Sequence, residues 1–538
     1  MKHTSLVLLV AIAAACSTKT TEETSTATVS EESIGRHIER LASDEFMGRM
    51  PFSEGETKTV DYLEKEFSAL GLEPGNNGSF FQEVPLVEIT GTPSETMRIT
   101  GSEEFDLAFF DDFVANTTKV VNEVSLNNSE LVFAGYGIVA PEYDWNDYEG
   151  IDWAGKTAVV LVNDPGFESG DSSLFKGNEM TYYGRWTYKY EEGGRQGAAG
   201  VLIIHDTKPA SYGWNVVQSS WTGPQQSLES NAPKSDVIGW VTGDATAKLF
   251  SGTGISVDDL RTLARQPDFK PVPLGKSASV NITNTIKRDE SKNVIAVLPG
   301  TTRQDEYILY SAHWDHLGIG RPINGDSIYN GAVDNASGTA CLLAIAEAFT
   351  KGPQPERSII FLAVTAEEQG LLGSAYYAEN PIYPPQKTVA NINMDALESP
   401  GPMKDLTITG FGHSEMDEYA ARAAEKQGRY IIPDPDAEKG YFFRSDHFNF
   451  AKIGIPALYA SGSYEDFEHG VDYIAEQKED YLQNKYHQPA DEYVPGETPL
   501  SGIQFDAQLL YEVGNTLASE DYFPKWYETS EFRAAREK

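Results

Sequence analysis

"RSIIFLAVTAEEQGLLGS" (Arg357–Ser374) runs an unbroken apolar stretch into two adjacent acids, Glu367 and Glu368. An apolar run of this length, ended by turn residues, reads as a buried strand. Adjacent carboxylates repel when ionised and are costly to desolvate at the edge of a core. A compensating positive charge is therefore expected beside them.

Working outward, further apolar strands are read in "NVIAVLPG", "EYILYSAH", "TVANINMD", "DLTITGFG" and "IPALYASG", with helical patterns such as "GTACLLAIAEAF" between them. Strands alternating with helices from about Ser291 onward predict an α/β fold with a mostly parallel central sheet and helices on both faces. Upstream, "IGRHIERLASDEFMGR" and "GETKTVDYLEKEFSALGL" show helical spacing, whereas Phe80 to Thr283 is a β-rich texture of strands and turns.

At 538 residues the chain exceeds one ordinary domain, and its net charge of −39 argues against nucleic acid as a partner. "MKHTSLVLLVAIAAACS" has a basic start, a short apolar run and small residues before Cys16, which reads as an export signal. It resembles a bacterial lipoprotein signal, although Ala13 stands where leucine is usual. The expectation is a signal at 1–15, a lipidated Cys16 at the periplasm or cell surface, and a Thr/Ser/Glu-rich tether at 16–33. Membrane contact is expected only through that lipid. Cys341 lies in an apolar helix and reads as a small core residue. "GIDWAGKT" (Gly150–Thr157) has the spacing of a phosphate loop, but a strand follows it where that motif needs a helix, so it is rejected.

Chemistry collects just past the strands. His313 and Asp315 follow "EYILYSA", Glu367 and Glu368 follow "FLAV", Asp395 follows "NINM", and Asp334 lies in the turn "NGAVDNASG" that opens a helix. Ligands of open α/β sheets bind outside the carboxyl edge, so these groups can converge. Taken singly each has a bland explanation: a turn former, a helix cap or a core histidine. Together, His and Asp/Glu without cysteine suit zinc or a related divalent ion, and two ions would explain the charge density. Asp334, Glu368 and Asp395 would offset three of four positive charges and a shared solvent ligand the fourth. His313 and His487, in "NKYHQPADEY", would complete the donors. Glu368 would then bind metal while Glu367 faces the attacking water as general base, and Asp315 would fix the His313 tautomer. His316 has a weaker claim and reads as structural.

"AHWDHLG", "GAVDNASGTA", "TAEEQGLLGS", "NMD" and "YHQPAD", in this order, resemble the successive motifs of metallopeptidase family twenty-eight, which includes bacterial leucyl-type aminopeptidases and glutamate carboxypeptidase II. The resemblance covers about Ile34–Gly75 and Ser291–Ala518 and implies the family's zinc-exopeptidase sandwich. It implies one zinc held by His313 and Asp395 and a second by Glu368 and His487. Asp334 would bridge them, Glu367 would be the base, Asp315 would support His313, and a cis peptide would fall at Asp334–Asn335. "GKTAVVLV" and "RQGAAGVLIIHD" resemble a protease-associated domain. Expected boundaries are 34–88 for the first part of the peptidase domain, 89–284 for the insert and 285–538 for the main peptidase domain. In "FFRSDHFNFAKIGIPAL", Ser445, Asp446 and His447 are candidates for the substrate cleft and Arg444 for a carboxylate clamp.

The expected function is a zinc-dependent aminopeptidase acting on peptides. A carboxypeptidase of the glutamate carboxypeptidase type and glutaminyl cyclase, an acyl transferase chiefly using one zinc, are alternatives on the same fold. A non-catalytic receptor of this architecture is disfavoured because every ligand position is filled. No Gly-x-Ser-x-Gly elbow or His-Glu-x-x-His helix supports other hydrolase chemistry.

Overall fold

The computed structural model describes residues 27–398 and 400–537; the expected signal and Cys16 lie outside these residues. Helices α1 (Glu31–Leu41) and α2 (Glu54–Ala69) open the described chain. The Ser30 side chain accepts the Ser33 amide, and Glu31 and Glu32 sit in the first turn, where the helix dipole favours acids. These caps start α1 inside the stretch expected to be tether, so Glu31–Ser33 are helical.

Strand β1 (Phe81–Pro93) leads into the middle segment, where β2 (Lys156–Leu161), β3 (Gly200–Ile204) and β4 (Val237–Val241) run parallel. The strand at Lys156–Leu161 occupies the place where a phosphate loop would need a helix. The long strand β5 (Val272–Leu298) returns the chain and pairs antiparallel with β1, from Phe81 opposite Val294 to Pro93 opposite Ile282. Both crossings of the middle segment thus share one two-stranded ribbon.

The second half contains β6 (Arg303–His313), α3 (Gly338–Lys351), β7 (Arg357–Val364), α4 (Leu372–Glu379), β8 (Thr388–Asn393), β9 (Ala457–Ser461), α5 (Gly470–Asn484) and α6 (Ser501–Ser519). Its sheet runs β5–β7–β6–β8–β9; the last four strands are parallel and β5 is antiparallel to β7. Every residue of β7 is buried, and its side chains alternate between two cores. Ile359, Phe361 and Ala363 pack with α1, α2, α3 and α6. Ile360, Leu362 and Val364 face Tyr377 of α4 and Phe450 on the other side. That two-sided burial explains the unbroken apolar run, and the α/β fold with a mostly parallel sheet is observed.

Separate hydrophobic clusters fill the middle segment, built from residues between Met97 and Ile282. Cys341 is a free, fully buried core thiol of α3, pushed up by burial. No helix among the described residues is long and apolar enough to cross a membrane.

Candidate metal centre

His313 pairs with Val364 and Ser311 with Asn393 across β7–β6–β8, so the three strands end on one edge. The chain turns through left-handed backbone at Ala366 (φ 52°) and Ala396 (φ 47°), which brings Glu367, Glu368 and Asp395 over that edge. Asp334 arrives from the turn before α3; the Asp334–Asn335 peptide is cis. His487 also has positive φ (56°), a region histidine tolerates better than most residues.

The side chains converge. His313 Nε2 lies 3.1 Å from Asp395 Oδ1, 3.3 Å from Asp334 Oδ1 and 3.9 Å from Glu367 Oε2. His487 Nε2 lies 3.2 Å from Asp334 Oδ2 and 3.1 Å from Glu368 Oε2. Asp334 thus turns one oxygen to each imidazole. The donors of His313, Asp334 and Asp395 lie within 4.8 Å of one another, as do those of His316, Asp334 and Glu368. His313 and Asp395 stand on one side of Asp334, and Glu368 and His487 on the other. His316 belongs to the cluster despite its structural reading, with Nδ1 2.6 Å from Glu368 Oε1.

These residues fit zinc. The donors are imidazole nitrogens and carboxylate oxygens without sulfur. His487 Nε2 faces two carboxylates yet forms no hydrogen bond, as suits a nitrogen aimed at a cation between them. Burial opposes ionisation of Asp334, but the His313 and His487 imidazoles outweigh it and hold the carboxyl well below its usual range. Burial, reinforced by Asp395 and Glu368, pushes Glu367 well above its usual value despite His313.

Asp315 stands beside His313, with its main-chain carbonyl 3.2 Å and its carboxylate Oδ1 3.6 Å from Nδ1. The Asp315 carboxylate also accepts the amides of Glu367 (3.1 Å) and Glu368 (3.3 Å) and so holds the acidic pair in place.

Of the cleft candidates, Ser445 donates to Asp395 Oδ2 and accepts from Asn393 Nδ2 (2.7 Å). Asp446 and His447 do not face an open cleft: both are fully buried. Asp446 accepts Ser374 Oγ at 2.5 Å, and His447 packs against Phe442 and Tyr459. Arg444 Nη2 donates to Lys439 O (2.6 Å), and its guanidinium stands over the Tyr441 ring.

Two contributors carried no signal in hydrophobic periodicity. Asp491 accepts the amides of Val333 and Asp334, the latter at 3.1 Å. Its place four residues after His487 in "YHQPAD" was the available hint. Asn335 donates to the carbonyls of His313 and Met394 and accepts the amides of Gly338 and Ala396, tying the ends of β6 and β8 to α3. A Cβ on Gly338 would meet Asn335 Oδ1 at 2.3 Å, so this approach requires glycine.

Residues 293–498 match the family model described as peptidase family M28. The matched segment contains all five proposed ligands and Glu367. The mouse (Mus musculus) protein named aminopeptidase NAALADL1 is 37% identical over 138 residues, covering 24% of this chain and 17% of that protein. A glutamate carboxypeptidase 2 homolog of Caenorhabditis elegans is 32% identical over 280 residues, covering 50% of this chain and 30% of that protein. The chain thus spans less than a third of either curated relative. The solved aminopeptidase from Aneurinibacillus sp. strain AM-1 is similar at 20% identity, over 92% of this chain and 95% of that one, with a TM-score of 0.49.

Proposed function

We propose that the chain is an exported, zinc-dependent exopeptidase, an aminopeptidase that removes N-terminal residues from peptides. The observation that carries this reading is Asp334, whose two carboxylate oxygens face His313 and His487 separately, with Glu367 beside them. His313 and Asp395 would hold one divalent ion, Glu368 and His487 a second, and Asp334 both. When bound, such ions supply Lewis acidity toward a scissile carbonyl and lower the pKa of water.

The remaining work falls to the chain. The Glu367 carboxylate takes the proton of the attacking water and delivers it to the leaving amine nitrogen. Asp315 fixes Glu367 through the main-chain amide, and Ser445 orients Asp395. Lipid anchoring at Cys16 and a protease-associated role for 89–284 belong to the same proposal, supported by the sequence resemblances.

A second reading, carboxypeptidase action, is favoured by one observation. Arg185 of the middle segment and Arg444 lie close enough to interact, and burial together with Arg444 pushes the Arg185 guanidinium down to about 10. Among the described residues neither forms a salt bridge, and both Nε atoms are buried without a hydrogen bond. Two such cations suit a peptide carboxylate.

Release of amino acids from free, N-blocked and C-amidated peptides, with and without chelator, tests both readings. Loss of cleavage on N-blocking supports the aminopeptidase. Loss on C-amidation supports the carboxypeptidase, and ammonia release from an N-terminal glutamine peptide would reveal a cyclase.

A further inference from the structure

Arg49 is 1% exposed and comes from the N-terminal part of the chain. After α1, the turn Asp44–Arg49 passes through left-handed backbone at Met47 (φ 52°), Gly48 (φ 66°) and Arg49 (φ 50°). A Cβ on Gly48 would stand 2.5 Å from Tyr329 O and 2.6 Å from Gly318 O, so only glycine lets the turn approach this closely. The turn delivers the guanidinium beneath the metal centre.

There Arg49 Nε donates to Trp314 O (2.9 Å), Nη1 to Leu41 O (2.8 Å) and Asn330 O (2.6 Å), and Nη2 to Gly331 O (2.8 Å). Trp314 stands between His313 and Asp315. Asn330 and Gly331 begin the turn that carries Asp334. One planar side chain therefore spans the two loops whose separation sets the distance from His313 to Asp334.

We propose that Arg49 is a positioning residue that locks these loops at the spacing divalent ions require; this rests on the ligand reading above. A guanidinium has five donors in a rigid fork, and here four are spent on main-chain carbonyls. Removing these donors from buried main-chain carbonyls costs stability, although Gly331 O keeps the Ala336 amide at 3.1 Å. The cation also interacts with Asp315, Asp334, Glu368 and Asp491, so it relieves repulsion among acids before any metal arrives. A lysine has three donors on a flexible stem and cannot bridge the same four acceptors in one geometry.

The test compares full-length wild type, Arg49→Met, Arg49→Lys and the remote control Arg357→Lys. Arg357 is equally buried and donates to Leu517 O and Tyr522 O, away from the metal centre. Zinc affinity is measured by chelator competition, and thermal stability is measured on the metal-free proteins. Arg49→Met should lose roughly 10- to 100-fold in zinc affinity, the range for groups that orient metal ligands, with Arg49→Lys intermediate. Arg357→Lys should lose stability while keeping wild-type zinc affinity. If Arg49→Met fails to fold, Arg49→Lys decides. Wild-type zinc affinity in a folded Arg49 variant, or an equal affinity loss in Arg357→Lys, overturns the lock. A wild-type protein that binds no zinc overturns the ligand reading itself and the lock with it.

Discussion

His316 Nδ1 lies 2.6 Å from Glu368 Oε1, while the other oxygen of that carboxylate faces His487 at 3.1 Å. One histidine thus holds an oxygen of Glu368 and leaves its partner directed into the cluster. His316→Ala should weaken zinc binding roughly 10- to 100-fold, the usual cost of losing a group that orients a ligand. Equilibrium dialysis against zinc checks this, and unchanged affinity would show that Glu368 needs no such restraint.

Glu367→Ala should keep the metals and lose turnover by roughly 100- to 10,000-fold, the range for a general acid–base group. Metal analysis and peptide hydrolysis on one preparation separate these effects. Asp334→Ala should lose metal as well, because both imidazoles lose the carboxylate they share.

Ser445→Ala removes a donor to Asp395 and an acceptor for Asn393. Asp395 then keeps its contact with His313 but loses its anchor, so kcat should fall more than KM rises. Steady-state kinetics on a single dipeptide substrate measure the split, and a pure KM effect would instead mark Ser445 as a substrate contact.

Acid should weaken the fold through His37, which is buried beside Tyr62. Burial and the Arg36 charge push its imidazole down to about 4. Between there and its ordinary value near 6.5 the unfolded chain binds the proton that the folded chain refuses, so this stability is complete above that window and lost as pH falls through it. The stability difference between wild type and His37→Asn should shift against wild type by about 1 kcal/mol per pH unit inside the window. Urea unfolding of both proteins at several pH values measures it, and a pH-independent difference would refute the neutral imidazole.

The sheet was legible because β7 and β8 are buried on both faces, and an apolar run states that directly. The proposed ligands were legible because carboxyl-edge positions of parallel strands meet in space whatever their separation in sequence. The supporting contacts were not. Arg49, Asn335, Asp491 and the Asp315 carboxylate act on main-chain groups of other segments, and nothing in their own periodicity records which backbone they reach. The contact of His316 with Glu368 was hidden for a related reason: three positions past a strand end, only the path of the turn decides where a side chain points. Asp446 and His447 were cleft candidates, yet both are fully buried, and His447 packs against Phe442 and Tyr459.

Zinc content of the purified full-length protein, with peptide hydrolysis followed as a chelator removes the metal, is the most direct measurement. Two zinc ions per chain, activity lost with them and restored by zinc, and no retained metal in Asp334→Ala are the predicted results. A protein that hydrolyses peptides at full rate after its metal is gone, or whose zinc survives Asp334→Ala unchanged, would contradict a centre built around that carboxylate.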